Sequence, residues 1–261
     1  MKKTSILSWV IIIFAATYFI VPLLATFEFS LRLIRGHYSF EAYRVVFIQP
    51  DFQFAFINSI LLAIATIALS ILLIVPTAYL VRLRLPQWRA PVEFVTLLPL
   101  VIPAIIIVYG YIRMFNSSSW LPMTDSEAST YVLLAFGYVT LALPYMYRSV
   151  DAGLRAIDVK TLTEAAQSLG ASNFTILAKV ILPNIRSGVL SGAFIAFAIV
   201  IGEFTFASLL NLKVFGVYLQ LIGANRAYEP SALAIVAFAI TWACMGLLQL
   251  VGRSRAAKPA R

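Results

Sequence analysis

Runs of apolar residues long enough to cross a lipid bilayer recur along this chain, with short polar segments between them. They fall at about Ile6–Leu24, Phe54–Val81, Val92–Phe115, Tyr131–Tyr147, Ser187–Leu210 and Ser231–Val251. Each approaches or exceeds the roughly 20 residues that a membrane helix needs. The pattern predicts an all-α membrane protein of six transmembrane helices, organised as a single transmembrane domain over residues 1–261. The first run follows Met1-Lys2-Lys3. It is longer than the roughly 7–15 residues of a signal-peptide core and no A-x-A site follows it, so it reads as an uncleaved span. Pro76 and Pro144 lie inside the second and fourth runs, and Pro99 and Pro103 lie four residues apart in the third. A proline removes a helical hydrogen bond and crowds the preceding turn, so the inner half of the third run is expected to be kinked or irregular.

One polar interruption, Asp151–Arg186, is long enough to fold by itself. Thr161 and Glu164 have the spacing of a capping box, in which hydroxyl and carboxylate satisfy two orphan amides of a helix start. Asp158 is a rival cap. Gly170 suits the left-handed residue that closes a helix, Ser172 can cap the next one, and Pro183 is expected to end it. Phe174, Leu177 and Ile181 fall on one face of that second helix. The expectation is a hairpin of two short helices with an apolar face to bury.

The same residues carry a resemblance. Glu164-Ala165-Ala166, three residues, Gly170, nine residues, then Val180-Ile181-Leu182-Pro183 resembles the EAA loop of inner-membrane permease subunits of binding-protein-dependent ABC importers. That loop is written E-A-A-x3-G-x9-I-x-L-P, and Val180 in place of Ile is the one departure. The flanking spans are also similar to that family, in particular to its branch of polyamine-type and related small-solute permeases. The resemblance implies the type I importer permease (MetI-like) fold. It further implies that residues 151–186 form a cytoplasmic coupling hairpin, with Glu164, Ala165, Ala166, Gly170, Leu182 and Pro183 at the contact with a separate ATPase.

Charge decides the orientation. If there are six spans, both termini share one side, and that side carries fourteen of the twenty Lys and Arg residues against six on the other. The positive-inside bias puts both termini and the hairpin in the cytoplasm. The formal charge of +9 is explained by the same short basic loops, so nucleic acid is not an expected partner. With 61% hydrophobic and 12% charged residues, a soluble domain is excluded.

Catalytic and metal chemistry are not expected. There is no phosphate-cradling G-x-x-x-x-G-K-[ST], no H-E-x-x-H, no G-x-S-x-G, and one cysteine, Cys244, inside an apolar run. The lone His37 lies in an external loop with no second ligand at metal spacing. No cofactor is expected. Gly188 and Gly192, continued by Ala196, form a small-residue stripe for close helix packing. Glu203 lies mid-span, where an ionised group costs about 2.5–3.5 kcal/mol on insertion scales. It is expected either to line the solute pathway or to be bonded to neighbouring helices beside Gly202.

The expected function, drawn from the resemblance, is the permease subunit of an ATP-driven importer in a bacterial inner membrane, working by alternating access. The implied partners are two copies of an ABC ATPase, a second permease subunit of different sequence, an external solute-binding protein and membrane lipid. A polyamine or other small organic cation is the expected solute, with phosphonate-type compounds or ferric iron as alternatives. The competing class is an ATP-independent secondary transporter or channel, although the spans offer few ionisable groups for ion coupling.

Overall fold

A computed structural model describes residues 6–253. Lys2, Lys3, Arg255, Lys258 and Arg261, which entered the charge count, lie outside the described residues. The regular structure of the described part is all helix, because a chain crossing lipid must satisfy its own backbone amides. Its elements are α1 (Ile6–Ser30), α2 (Glu41–Ile48), α3 (Pro50–Leu83), α4 (Arg89–Val101), α5 (Ala104–Met114), α6 (Glu127–Arg155) and α7 (Val159–Ser168). There follow α8 (Asn173–Thr175), a π-helical turn (Ile176–Ile181), α9 (Leu182–Asn184), α10 (Arg186–Gly202), α11 (Thr205–Leu209), α12 (Phe215–Asn225) and α13 (Tyr228–Arg253).

Helices α1, α3, α6 and α13 are each long and apolar enough to cross a membrane. Two bent pairs raise the number of spans to six if each pair is one span. The third apolar run is one of them: α4 and α5 meet at 104°. Ile102 is extended at the break (ψ 121°), as the residue before a proline prefers. Pro76 and Pro144, by contrast, sit inside the unbroken helices α3 and α6. The fifth run, α10, joins the hairpin arm before it at 79°.

The chain divides into two compact units. In the smaller, residues 6–54 and 218–240, polar and aromatic contacts tie short elements together. The Tyr43 and Ser30 hydroxyls are 2.8 Å apart, the Tyr218 hydroxyl donates to Gln49 Oε1 at 2.7 Å, and the Phe29 and Tyr228 rings stack at 4.8 Å.

The larger unit, residues 55–217 and 241–253, holds the main core. Ile74, Val75 and Tyr79 of α3 pack there with Met146, Val150 and Leu154 of α6, and with Val189 and Ala193 of α10. Helices α6 and α10 make the tightest crossing. A Cβ added at Gly188 would overlap the Ser149 carbonyl oxygen, and one added at Gly192 would stand 3.2 Å from Met146 Cα. Two backbones this close leave no room for side chains, and dispersion between them holds the crossing together.

Candidate functional site

The hairpin extends from the core just described. Helix α7 begins at Val159, and its cap is Asp158, whose carboxylate accepts the Thr161 amide at 3.1 Å and the Thr161 hydroxyl at 2.8 Å. The Thr161–Glu164 capping box is therefore not formed. A charged acceptor makes stronger hydrogen bonds than a hydroxyl, and starting the helix at Val159 also buries that side chain (4% exposed). The Thr161 amide and hydroxyl bonds hold the Asp158 carboxyl below the ordinary aspartate range. Glu164, freed from capping, is exposed, with Lys160 Nζ at 3.9 Å.

Gly170 ends the arm in the left-handed conformation (φ 79°) and donates its amide to the Gln167 carbonyl at 2.8 Å. No atom lies within 4 Å of a Cβ built there, so glycine is required by the backbone and not by space. Ser172 caps the second arm through the Thr175 amide at 3.3 Å.

The second arm departs from a simple helix. It widens to a π-helical turn over Ile176–Ile181, and Pro183 sits in the first turn of α9 instead of ending the segment. Proline has no amide to donate and its ring crowds the carbonyl four residues back. A wider turn just before it relieves that crowding, and such single π turns recur at functional sites. The widening also splits the apolar face expected from helical spacing. Ile176 and Ile181 are fully buried with Ile185, whereas Phe174 is 79% exposed and Leu169, at the end of the first arm, is 89% exposed.

The inner side of the hairpin is fixed to the spans. Tyr79 of α3 and Thr163 of α7 have hydroxyls 3.1 Å apart, and Val159, Ala166, Ile176 and Ile181 join the α3–α6–α10 core. Its outer side presents Glu164, Ala165, Leu169, Gly170, Phe174 and Pro183, all exposed, while Ala166 is buried and Leu182 half-buried. Two large apolar side chains flank a glycine on an otherwise polar projection, a knob left uncovered among the described residues.

Two further groups lie outside the hairpin. Asp151, buried at the end of α6, is an ionic hub: Arg155 donates from Nε at 2.8 Å, and Arg82 and Arg89 stand at 3.6 and 3.8 Å. Glu203 sits where α10 ends. Its oxygens accept the amides of Phe206 at 2.9 Å and Ala207 at 3.4 Å, so it caps α11. That cap aims Phe206 at α6, where its ring fills the space a side chain would need at Gly137. Sequence reading missed both the Asp151 hub and Gly137. Asp151 is far along the chain from Arg82 and Arg89, and their grouping is set by how the helices pack.

Comparison with known proteins fits this geometry. Residues 49–255 match the model of the family described as binding-protein-dependent transport system inner membrane component. The spermidine/putrescine transport system permease protein PotC of Escherichia coli is 30% identical over 130 residues, 47% of this chain and 47% of that protein. The molybdenum transport system permease protein ModB of Escherichia coli is 28% identical over 176 residues, 61% of this chain and 72% of that protein. A probable ABC transporter permease protein of Sinorhizobium fredii is 24% identical over 258 residues, 94% of this chain and 44% of that protein. The chain thus spans about half the length of the first curated relatives it matches. In fold it is similar to a chain of a bacterial alginate ABC transporter, solved in complex with a periplasmic protein carrying an alginate pentasaccharide. The TM-score is 0.72 at 16% identity, over 95% of this chain and 93% of that one. With a membrane-length helical core and a family match over most of its length, this chain belongs to the inner-membrane components of binding-protein-dependent transport systems and is a type I ABC importer permease.

Proposed function

We propose that this permease works by alternating access, driven by a separate ATPase that docks on the exposed side of the 151–186 hairpin, of which residues 158–186 lie beyond the end of α6. The observation that carries this reading is the knob of Leu169 and Phe174, exposed at 89% and 79% on a hairpin whose other side is locked into the core. Such an element transmits a push instead of absorbing it. Ala165 keeps the surface low enough to enter a groove, and Glu164 offers a charge at its edge. The hairpin and both termini face the cytoplasm, on the Lys/Arg count. A second permease subunit, two ATPases and an external solute-binding protein complete the assembly.

A test uses Gly170→Val. A β-branched residue at positive φ costs on the order of 1–2 kcal/mol, enough to misdirect the second arm without unfolding the spans. The variant is expected to insert normally, recover less ATPase on purification and lose uptake. Normal ATPase recovery with normal uptake would place the ATPase contact outside this hairpin.

The solute proposed is a polyamine or similar small cation, on the likeness to spermidine/putrescine permeases, which reaches 33% identity over 128 residues in the Haemophilus influenzae protein. An inorganic oxyanion is the second reading, because a sulfate permease of Chlamydomonas reinhardtii matches a larger share of the chain, 77% at 26% identity. A thermal-shift screen of the cognate binding protein against both solute classes separates them. Glu203 enters as a pathway residue at the α10–α11 break. Glu203→Gln keeps one side-chain oxygen for the Phe206 amide, so insertion is expected to survive and solute affinity to fall. Unchanged uptake over a range of solute concentrations leaves Glu203 with the capping role alone.

A further inference from the structure

Helix α4 packs on α6 with little apolar surface. Of its 13 residues only Thr96 is buried, whereas α10, on the same helix α6, buries seven of 17. The Thr96 hydroxyl bonds within its own helix, to the Val92 and Glu93 carbonyls at 2.9 and 3.0 Å. What crosses from α4 to α6 is ionic: Arg89 stands 3.8 Å from Asp151, and Glu93 stands 3.7 Å from Arg155.

Each helix also keeps a tighter pair of its own. Arg89 Nε donates to Glu93 at 2.9 Å within α4, and Arg155 holds Asp151 within α6 through Nε at 2.8 Å and through Nη2. Arg82 of α3 adds to Asp151 at 3.6 Å. The pairs within helices are thus short and those from α4 to α6 long. Parting α4 from α6 leaves every one of these charges with a partner, so the penalty of stranding a charge is not incurred.

The far end of α4 has the form of a joint. Ile102 is extended, Pro103 supplies no amide to continue the helix, and α5 departs at 104°. A few residues at the end of an element are where hinges absorb rotation. Space lies beside the ionic contact. A cavity of about 430 Å³ separates Glu93, Thr96 and Leu97 of α4 from Tyr147, Arg148 and Ala152 of α6, and another of about 280 Å³ reaches from Arg82 to Arg89. Elements with few buried contacts are the ones that open.

We propose that α4 is a hinged flap that swings about the Ile102–Pro103 break and parts from α6 during the transport cycle. The two ion pairs between the helices are its latch, and the pairs within each helix keep it neutral when open. The inference takes its driving force from the alternating access proposed above, while the latch stands on the geometry of this chain.

The experiment measures the distance between spin labels at Ala90→Cys and Ala152→Cys, in a Cys244→Ser background, on the complex purified from its own membranes. Both positions are exposed and outside the ion pairs. Ala90 lies about 18 Å from the break at roughly 1.5 Å per residue, so a swing of about 15° moves it about 5 Å. Two populations are expected, one at the spacing of this structure and one longer. Arg89→Gln combined with Glu93→Gln removes both latch pairs and leaves Arg82, Asp151 and Arg155 in place. It is expected to enrich the longer population about fivefold, as the loss of two half-exposed ion pairs implies, and ATP with vanadate is expected to shift the same ratio in the protein with its latch intact. Enrichment by the double substitution with no response to ATP and vanadate keeps the flap and its latch and overturns only the ATP-driven reading. A single distance, unmoved by either treatment, makes α4 a fixed strut and overturns the proposal. Two populations in a ratio that the double substitution leaves unchanged overturn it as well, because the ion pairs are then no latch.

Discussion

The α6–α10 crossing and the 158–186 hairpin belong to the same unit, and they treat apolar surface in opposite ways. At the crossing, glycines bring two backbones together until nothing is left to cover. At the hairpin, Ile176 and Ile181 vanish into the core while Phe174 and Leu169, from the same short segment, stay in the open. The first arrangement is complete within one chain. The second is complete only on its inner side, and that asymmetry is what an attached lever needs: a rigid root and a surface left for a partner.

The comparison can be broken most forcefully at the crossing. Gly188→Leu drives a side chain into the Ser149 carbonyl, and backbone cannot move aside as a flexible side chain can. The expected outcome is loss of folded protein from the membrane, read as rapid proteolysis and absence from a monodisperse gel-filtration peak. A stable, monodisperse variant would mean that the helices are not held as close as described.

The two sides of the hairpin can then be set against each other. Ile176→Ala empties a fully buried site and is expected to cost about 2–5 kcal/mol, the usual range for such truncations. Phe174→Ala removes a larger side chain that is already 79% exposed, so its thermal unfolding is expected to match the wild type. Uptake should fall in both variants, but for Phe174→Ala with no loss of protein. If Phe174→Ala unfolded as readily as Ile176→Ala, the knob would be part of the core and not a free surface.

The smallest effect concerns the root of the first arm. Because Asp158 has its carboxyl lowered by the Thr161 amide and hydroxyl, its contribution is fully present above the ordinary aspartate value and is lost as pH falls through the lowered one. Amide protection at the start of α7 is therefore expected to stay flat from neutral pH to about pH 5, and to drop only below about 3.9. Asp158→Asn would show no such acid transition. A transition near neutral pH in the wild type would assign the cap to another group.

What could be read from residues alone divides along the same line. The hairpin's ends were legible because capping and left-handed closure are local: Gly170 takes φ 79° and Ser172 accepts the Thr175 amide. The six apolar runs were legible because bilayer thickness sets their length, and the paired prolines Pro99 and Pro103 marked the break between α4 and α5. The choice of Asp158 over Thr161 as cap was not, since both fit the spacing and burial of Val159 tips the balance. Nor was the π-helical turn, which takes Ile181 off the face that regular helical spacing would share with Phe174 and so changes which residues a partner meets. The Asp151 hub was hidden for another reason: its arginines come from three separate elements, and only packing brings them together.

The claim at the centre of this account is that Phe174 meets a separate ATPase, and a photocrosslinker placed at that position in intact membranes tests it directly. The account predicts a single major adduct whose mass and peptides identify a P-loop ATPase, absent when the crosslinker replaces buried Ile176. Adducts to this chain's own spans or to lipid alone, in membranes where the ATPase is present, would contradict it.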